Sequence, residues 1–160
     1  MAWNRIRASF VGGRDPVAVI AETAGAIRGL LERMPAEQLG LRAPGKTWNA
    51  REIVCHLADC ELVFGFRLRQ TLAEDGPVLQ PFDQEKWALR YGNCDLQTAL
   101  RLFDAARRWN LLLIEATTAE ERRRPATHPE RGTMTFWTIV ETIAGHDTNH
   151  LGQLERLAAG

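Results

Sequence analysis

Two histidines four residues apart, His146 and His150, stand in the segment 144–157, AGHDTNHLGQLERL, which otherwise has the spacing of a buried helix face. An α-helix turns once every 3.6 residues, so positions four apart project from one face, one turn above the other. A third histidine, His56, takes a core-facing position in IVCHLADCELVFGF, residues 53–66. Burying a neutral imidazole leaves one donor and one acceptor that both need partners. A single buried histidine is commonly satisfied by a carbonyl or a carboxylate. Three on facing seams are satisfied together by a divalent metal, which each imidazole nitrogen binds at ~2.0–2.1 Å. His56, His146 and His150 are therefore the expected ligands of one divalent ion.

Three neutral ligands imply a particular kind of site. Closed structural zinc sites use four protein ligands, often thiolates, whereas catalytic sites keep a position open for water or substrate. A three-histidine set leaves the ion's charge uncompensated, so it acidifies water or stabilises a thiolate. Cys60, one turn after His56, reads as a small core residue, with ligation as a soft fourth donor the alternative. HDTNH also invites comparison with the zinc-peptidase pattern HExxH, whose glutamate is the general base. Asp147 has a shorter reach, and Glu155 is the sole carboxylate after His150, so a peptidase is not expected.

Four amphipathic helices separated by proline- and glycine-bearing loops position these residues. The first opens at Asp15-Pro16, a cap followed by proline at the first helical position, and ends near Pro35. Its seam is Ile20, Ala24, Ile27, Leu31 and Met34. Asn49 and Glu52 have the spacing of a capping box, and the second helix runs to about Asp75, before Gly76-Pro77. Its seam reads Ile53, His56, Cys60, Val63 or Phe64, and Arg67. The third helix spans about Asp95 to Thr117, with Ala99, Leu102, Phe103, Ala106, Trp109 and Leu113 expected inside. The fourth starts around 133–135 and runs almost to Gly160, with the seam Phe136, Ile139 or Val140, Ile143, His146, His150, Leu154 and Leu157. The 19 residues 76–94 between helices two and three exceed the ~2–8 that join antiparallel neighbours. A connection of that length can cross the bundle and leave helices two and three parallel. No internal repeat or linker divides the chain, so residues 1–160 read as one four-helix bundle with almost no strand pattern.

Composition narrows the function. The chain has 160 residues, room for one hydrophobic core, and is 45% apolar and 25% charged, as globular proteins are. Lysine plus arginine equals aspartate plus glutamate, 20 each, so no net field attracts a polyanion, and nucleic-acid binding is not expected. The first 16 residues lack the apolar block of a signal peptide, and no run of ~18 apolar residues could span a bilayer. Cys55, Cys60 and Cys94 lack a CxxC spacing and read as reduced thiols. A cytoplasmic protein is expected.

Three stretches, TWNAREIVCHLADCELVFGFRLRQTL, PFDQEKW and THPERGTMTFWTIVETIAGHDTNHLGQLERL, together resemble the DinB/YfiT-like superfamily from about Asp15 to Leu157. The specific landmarks are the tryptophan Trp48, the histidine followed by an acidic residue, and the terminal HxxxHxxQ. The resemblance implies up-down-down-up connectivity and a divalent metal, zinc or nickel, held by His56, His146 and His150. It also implies thiol-dependent S-transfer or isomerisation with a low-molecular-weight thiol, with metal-dependent hydrolysis or non-catalytic binding of metal or ligand as alternatives. Gln153 is placed to face a metal water or to stand as a core-edge amide, and Asp59 to orient a ligand. Glu61 and Arg67 match the family's E…R spacing, either pairing with each other or binding an anionic cosubstrate. His128 reads as a loop residue that could line the site. Trp48 reads as packing. Self-association into a homodimer is expected, with Phe10, Val11 and Trp87 lying outside the four seams.

Overall fold

The structure is a computed structural model that describes residues 12–42 and 48–159. Each long helix starts at the cap its sequence supplies. Helix α1 (Pro16–Arg33) follows Asp15, whose carboxylate accepts from Val17 N. Helix α2 (Ala50–Ala73) opens on a reciprocal capping box: the Asn49 side chain accepts from Glu52 N, and Glu52 accepts from Asn49 N, both at 2.9 Å. Asp95 caps α3 (Leu96–Glu115) through Thr98 N, and Thr135 caps α4 (Phe136–Ala158) through Thr138 N. Each cap satisfies a backbone donor that the helix itself cannot.

Residue pairings fix the direction of every helix. Thr23 of α1 meets Asp147 of α4, and Gln38, just beyond α1, donates to Leu157 O, so α1 and α4 run parallel. Glu61 pairs with Arg107, and Arg69 further along α2 reaches Asn110, so α2 and α3 are parallel as well. Along α2, His56 packs on His150 and Phe64 on His146, so α4 runs against it. Arg28 pairs with Asp104 while Arg107 donates to Ile20 O, which sets α1 against α3. The result is an up-down-down-up four-helix bundle, with the long connection crossing between α2 and α3.

That connection holds a one-turn helix, Gln84–Ala88, and a 3₁₀ turn, Tyr91–Asn93. Leu79 N donates to Thr127 O, and Thr127 N to Pro77 O, tying its start to the segment before α4. There the structure corrects the sequence reading. Residues expected as loop form an antiparallel ribbon, β1 (Pro125–His128) with β2 (Gly132–Thr135), turning at Gly132 with φ +78°. The strands are four residues long, and Ala126 and Met134 are their only buried apolar positions. So little alternation carries no legible period.

The third seam is also corrected. Leu102 and Trp109, expected inside, are 38% and 65% exposed, whereas Arg107 and Asn110 are buried with Phe103 and Ile114. The inward stripe is thus 103, 107, 110 and 114, a helical spacing half filled by polar residues. These belong to a layer that divides the apolar core in two. Every helix contributes to it: Thr23, His56, Glu61, Arg107, Asn110, His146, Asp147 and His150, all buried.

The layer forces close approach at Gly65. A Cβ there would lie 2.6 Å from Asn110 Oδ1 and 2.9 Å from its Nδ2. Asn110 cannot yield, because it donates to Glu61 O and Oε2 and accepts from Arg69. Gly65→Ala is expected to cost about 1–3 kcal/mol by overpacking. Urea unfolding checks this; an unchanged midpoint would show that the interhelical contact is looser than drawn.

Candidate metal centre

The polar layer has two halves. In the first, His56 from α2 and His146 and His150 from α4 converge, with one ring nitrogen from each lying within 4.8 Å of the others. The Nε2 atoms of His56 and His146 are 3.0 Å apart. Nitrogens bound to one tetrahedral ion at 2.0–2.1 Å stand ~3.3 Å from each other. Small side-chain rotations therefore bring the trio onto a common ion, and three imidazoles are a donor set that zinc and nickel accept.

Neighbouring groups hold the rings in place. Gln153 Oε1 lies 2.9 Å from His150 Nδ1, a contact that suits the tautomer with its proton on Nδ1 and a lone pair on Nε2. Gln153 thus orients the His150 ring. Trp48 covers the cluster from the start of α2, its ring 4.6 Å from His56 and stacked at 6.1 Å on His150. Cys60 Sγ lies 3.5 Å from His56 Nε2 and 3.7 Å from His146 Nε2. A sulfur and a nitrogen on one tetrahedral ion, with bonds of about 2.3 and 2.0 Å, stand ~3.5 Å apart. The thiol is therefore at donor distance, and it also lines a cavity next to the trio.

The second half of the layer is a buried ion network. Arg107 donates through both terminal nitrogens to the two Asp147 oxygens, and to Glu61 Oε1 at 2.7 Å. All three side chains are at most 3% exposed. Burial opposes the Arg107 charge, but the attraction of Asp147 and Glu61 outweighs it and raises its pKa. Burial pushes the Asp147 carboxyl up to about 6 against the pull of Arg107. Asp147 is enclosed here rather than facing substrate, which removes the role that a glutamate has in HExxH.

Other candidates are placed differently from the sequence reading. Glu61 and Arg67 do not pair with each other: Glu61 joins Arg107, and Arg67 donates to Gln80 O at 2.7 Å. Asp59 accepts from the Tyr91 hydroxyl at 2.9 Å and lines a separate cavity of about 660 Å³ with Trp87 and Cys94. His128 is on β1 rather than in a loop, 2% exposed, and lines the cavity that Cys60 and His146 also line. Trp87 is 41% exposed and packs on Phe82; Phe10 and Val11 lie outside the described residues. Sequence reasoning missed Arg107, Asn110 and Arg131. The stripe spacing of 103, 107, 110 and 114 was the available signal for the first two.

Three histidines converging from the second and fourth helices of a bundle in this topology form a candidate metal site. The chain belongs to the DinB superfamily, whose model matches residues 20–154. A relative from Oceanobacillus iheyensis, named "putative metal-dependent hydrolase", is 30% identical over 123 residues, 76% of this chain and 71% of its own. One from Geobacillus kaustophilus, named in the same words, is 28% identical over 148 residues, covering 86% of this chain and 83% of its own. Among solved structures, YfiT from Bacillus subtilis is described as "a probable metal-dependent hydrolase with an unusual four-helix bundle topology". It matches with a TM-score of 0.83 over 90% of this chain and 84% of its own, at 22% identity, which shows the shared fold. Among the described residues, no helix is long and apolar enough to cross a membrane.

Proposed function

We propose that this chain is a metal-dependent hydrolase of a small molecule, with His56, His146 and His150 holding one zinc or nickel ion. The observation that carries this reading is the convergence of three imidazoles beside a cavity that His146 itself lines. An ion held there lowers the pKa of water towards neutrality and polarises a scissile carbonyl. The chain's own part is to orient the ligands, through Gln153 on His150, and to enclose the site. Trp48 packs on His56 and Phe64 on His146, which places apolar rings beside the ligands. The names of two relatives support hydrolysis. The thiol-dependent transfer implied by the family resemblance has no matching support among them. Cys55, Cys60 and Cys94, none of them in a disulfide, fit a reducing, cytoplasmic setting.

The test is turnover of a panel of small esters and amides by protein reloaded with zinc, nickel or cobalt. Hydrolysis that needs the metal and disappears in His146→Ala is the expected result. Transfer of an added thiol to an electrophile, with no ester or amide consumed, would replace this reading by the transferase. The cobalt form also reports on Cys60. A sulfur-to-cobalt charge-transfer band without added thiol would close the tetrahedron and favour a binding protein over an enzyme.

A further inference from the structure

The cavity beside the histidines holds about 160 Å³. Cys60 and His146 line it on the metal side, and Arg67, His128 and Arg131 line it as well. Arg67 is only 5% exposed, and its guanidinium lies over the Phe82 ring at 5.9 Å. One of its nitrogens is committed to Gln80 O, but its buried Nε has no hydrogen-bond partner. Burial, and then the like charge of Arg131, lower the Arg67 pKa, and burial lowers that of Arg131. Burying the Arg67 guanidinium near a like charge costs free energy that an anion in the cavity would offset. Among the described residues, Glu130 is the one carboxylate lining the cavity, against the two cations Arg67 and Arg131.

His128 adds a neutral donor. It is 2% exposed, and its Nδ1 accepts from Glu130 N at 3.2 Å. A neutral imidazole that accepts at Nδ1 carries its proton on Nε2 and donates from there. Burial, followed by the charges of Arg131 and Arg67, lowers its pKa and keeps the ring neutral. The planar forks of the two arginines match a carboxylate or a phosphate.

We propose that this cavity binds the anionic group, a carboxylate or a phosphate, of a small substrate through Arg67, Arg131 and His128, next to the metal-holding histidines. The assignment of a substrate rests on the hydrolase reading; the anion site itself does not.

The experiment uses the full chain stripped of metal by a chelator, so that the metal cannot bind the anion itself. Inorganic phosphate and acetate are titrated in separate arms, which distinguishes the two oxyanions. At least one should bind at a single site. Arg131→Gln and Arg67→Gln should each weaken it about 10–100-fold, the loss of a charge-assisted hydrogen bond. Glu130→Gln should tighten binding about threefold to tenfold by removing the opposing charge, a gain that misfolding cannot imitate. Arg131→Lys should retain part of the affinity. Absence of binding by both anions, or affinity unchanged in the two glutamine variants, would overturn the proposal. Zinc stoichiometry, measured after the chelator is removed and zinc is added back to the same preparations, separates the two readings. Zinc bound without any anion site defeats this inference alone, while arginine-dependent anion binding without zinc defeats the hydrolase and leaves the anion site standing.

Discussion

Arg107→Ala is expected to destabilise the fold by about 3–5 kcal/mol, the cost of leaving buried charges without their partner. The guanidinium is the cation at the centre of the polar layer. It satisfies both Asp147 oxygens and one Glu61 oxygen, and it also donates to Ile20 O on α1. It thereby links all four helices. Removing it strands two carboxylates inside the core, each at most 2% exposed. Arg107→Lys should recover only part of the loss, because a single ammonium cannot reproduce the fork that Asp147 receives. Replacing the triad by apolar residues, R107M with E61M and D147L, should recover most of it, since a buried ion network gains little over good packing. Denaturant unfolding followed by circular dichroism decides this. A loss below about 1 kcal/mol for Arg107→Ala would show that water reaches the carboxylates.

The second large effect is on metal affinity. A protein zinc site is worth about 10–16 kcal/mol over its full ligand set, so one lost ligand costs several kcal/mol. His56→Ala, His146→Ala and His150→Ala should therefore each weaken binding by about 10²–10³-fold. His128→Ala supplies the contrast. It lines the cavity but stands outside the converging trio, so its loss should leave the metal in place. Equal losses in all four variants would point to general damage to the bundle rather than to ligation.

Much of this arrangement is legible in the sequence, because it rests on local rules. Asp15, Asn49 and Asp95 mark helix starts through short-range hydrogen bonds, and the length of 76–94 exposes the crossover. His56, His146 and His150 stand out because imidazoles interrupt otherwise apolar seams. What was not legible depends on contacts between distant segments. Arg107 looks like a solvated helix arginine until Glu61 and Asp147 arrive from two other helices. Reading only apolar residues as buried then turned α3 by part of a turn and put Leu102 and Trp109 inside. The ribbon 125–135 is too short to show a period. Its strand β1 carries His128 inward next to Arg67, a pairing of residues 61 positions apart that no spacing rule connects. Asp59 and Gln153 were both read as possible site residues; Tyr91 takes one, and His150 takes the other.

Binding of one divalent ion by three histidines is tested most directly by metal content together with X-ray absorption on protein purified without an affinity tag. After equilibration with zinc and removal of excess, one ion per chain is predicted. Its first shell should contain three imidazole nitrogens at about 2.0–2.1 Å, and His150→Ala should abolish the stoichiometry. A wild-type protein that retains no ion, or one whose ion and imidazole shell survive unchanged in His150→Ala, would contradict the account.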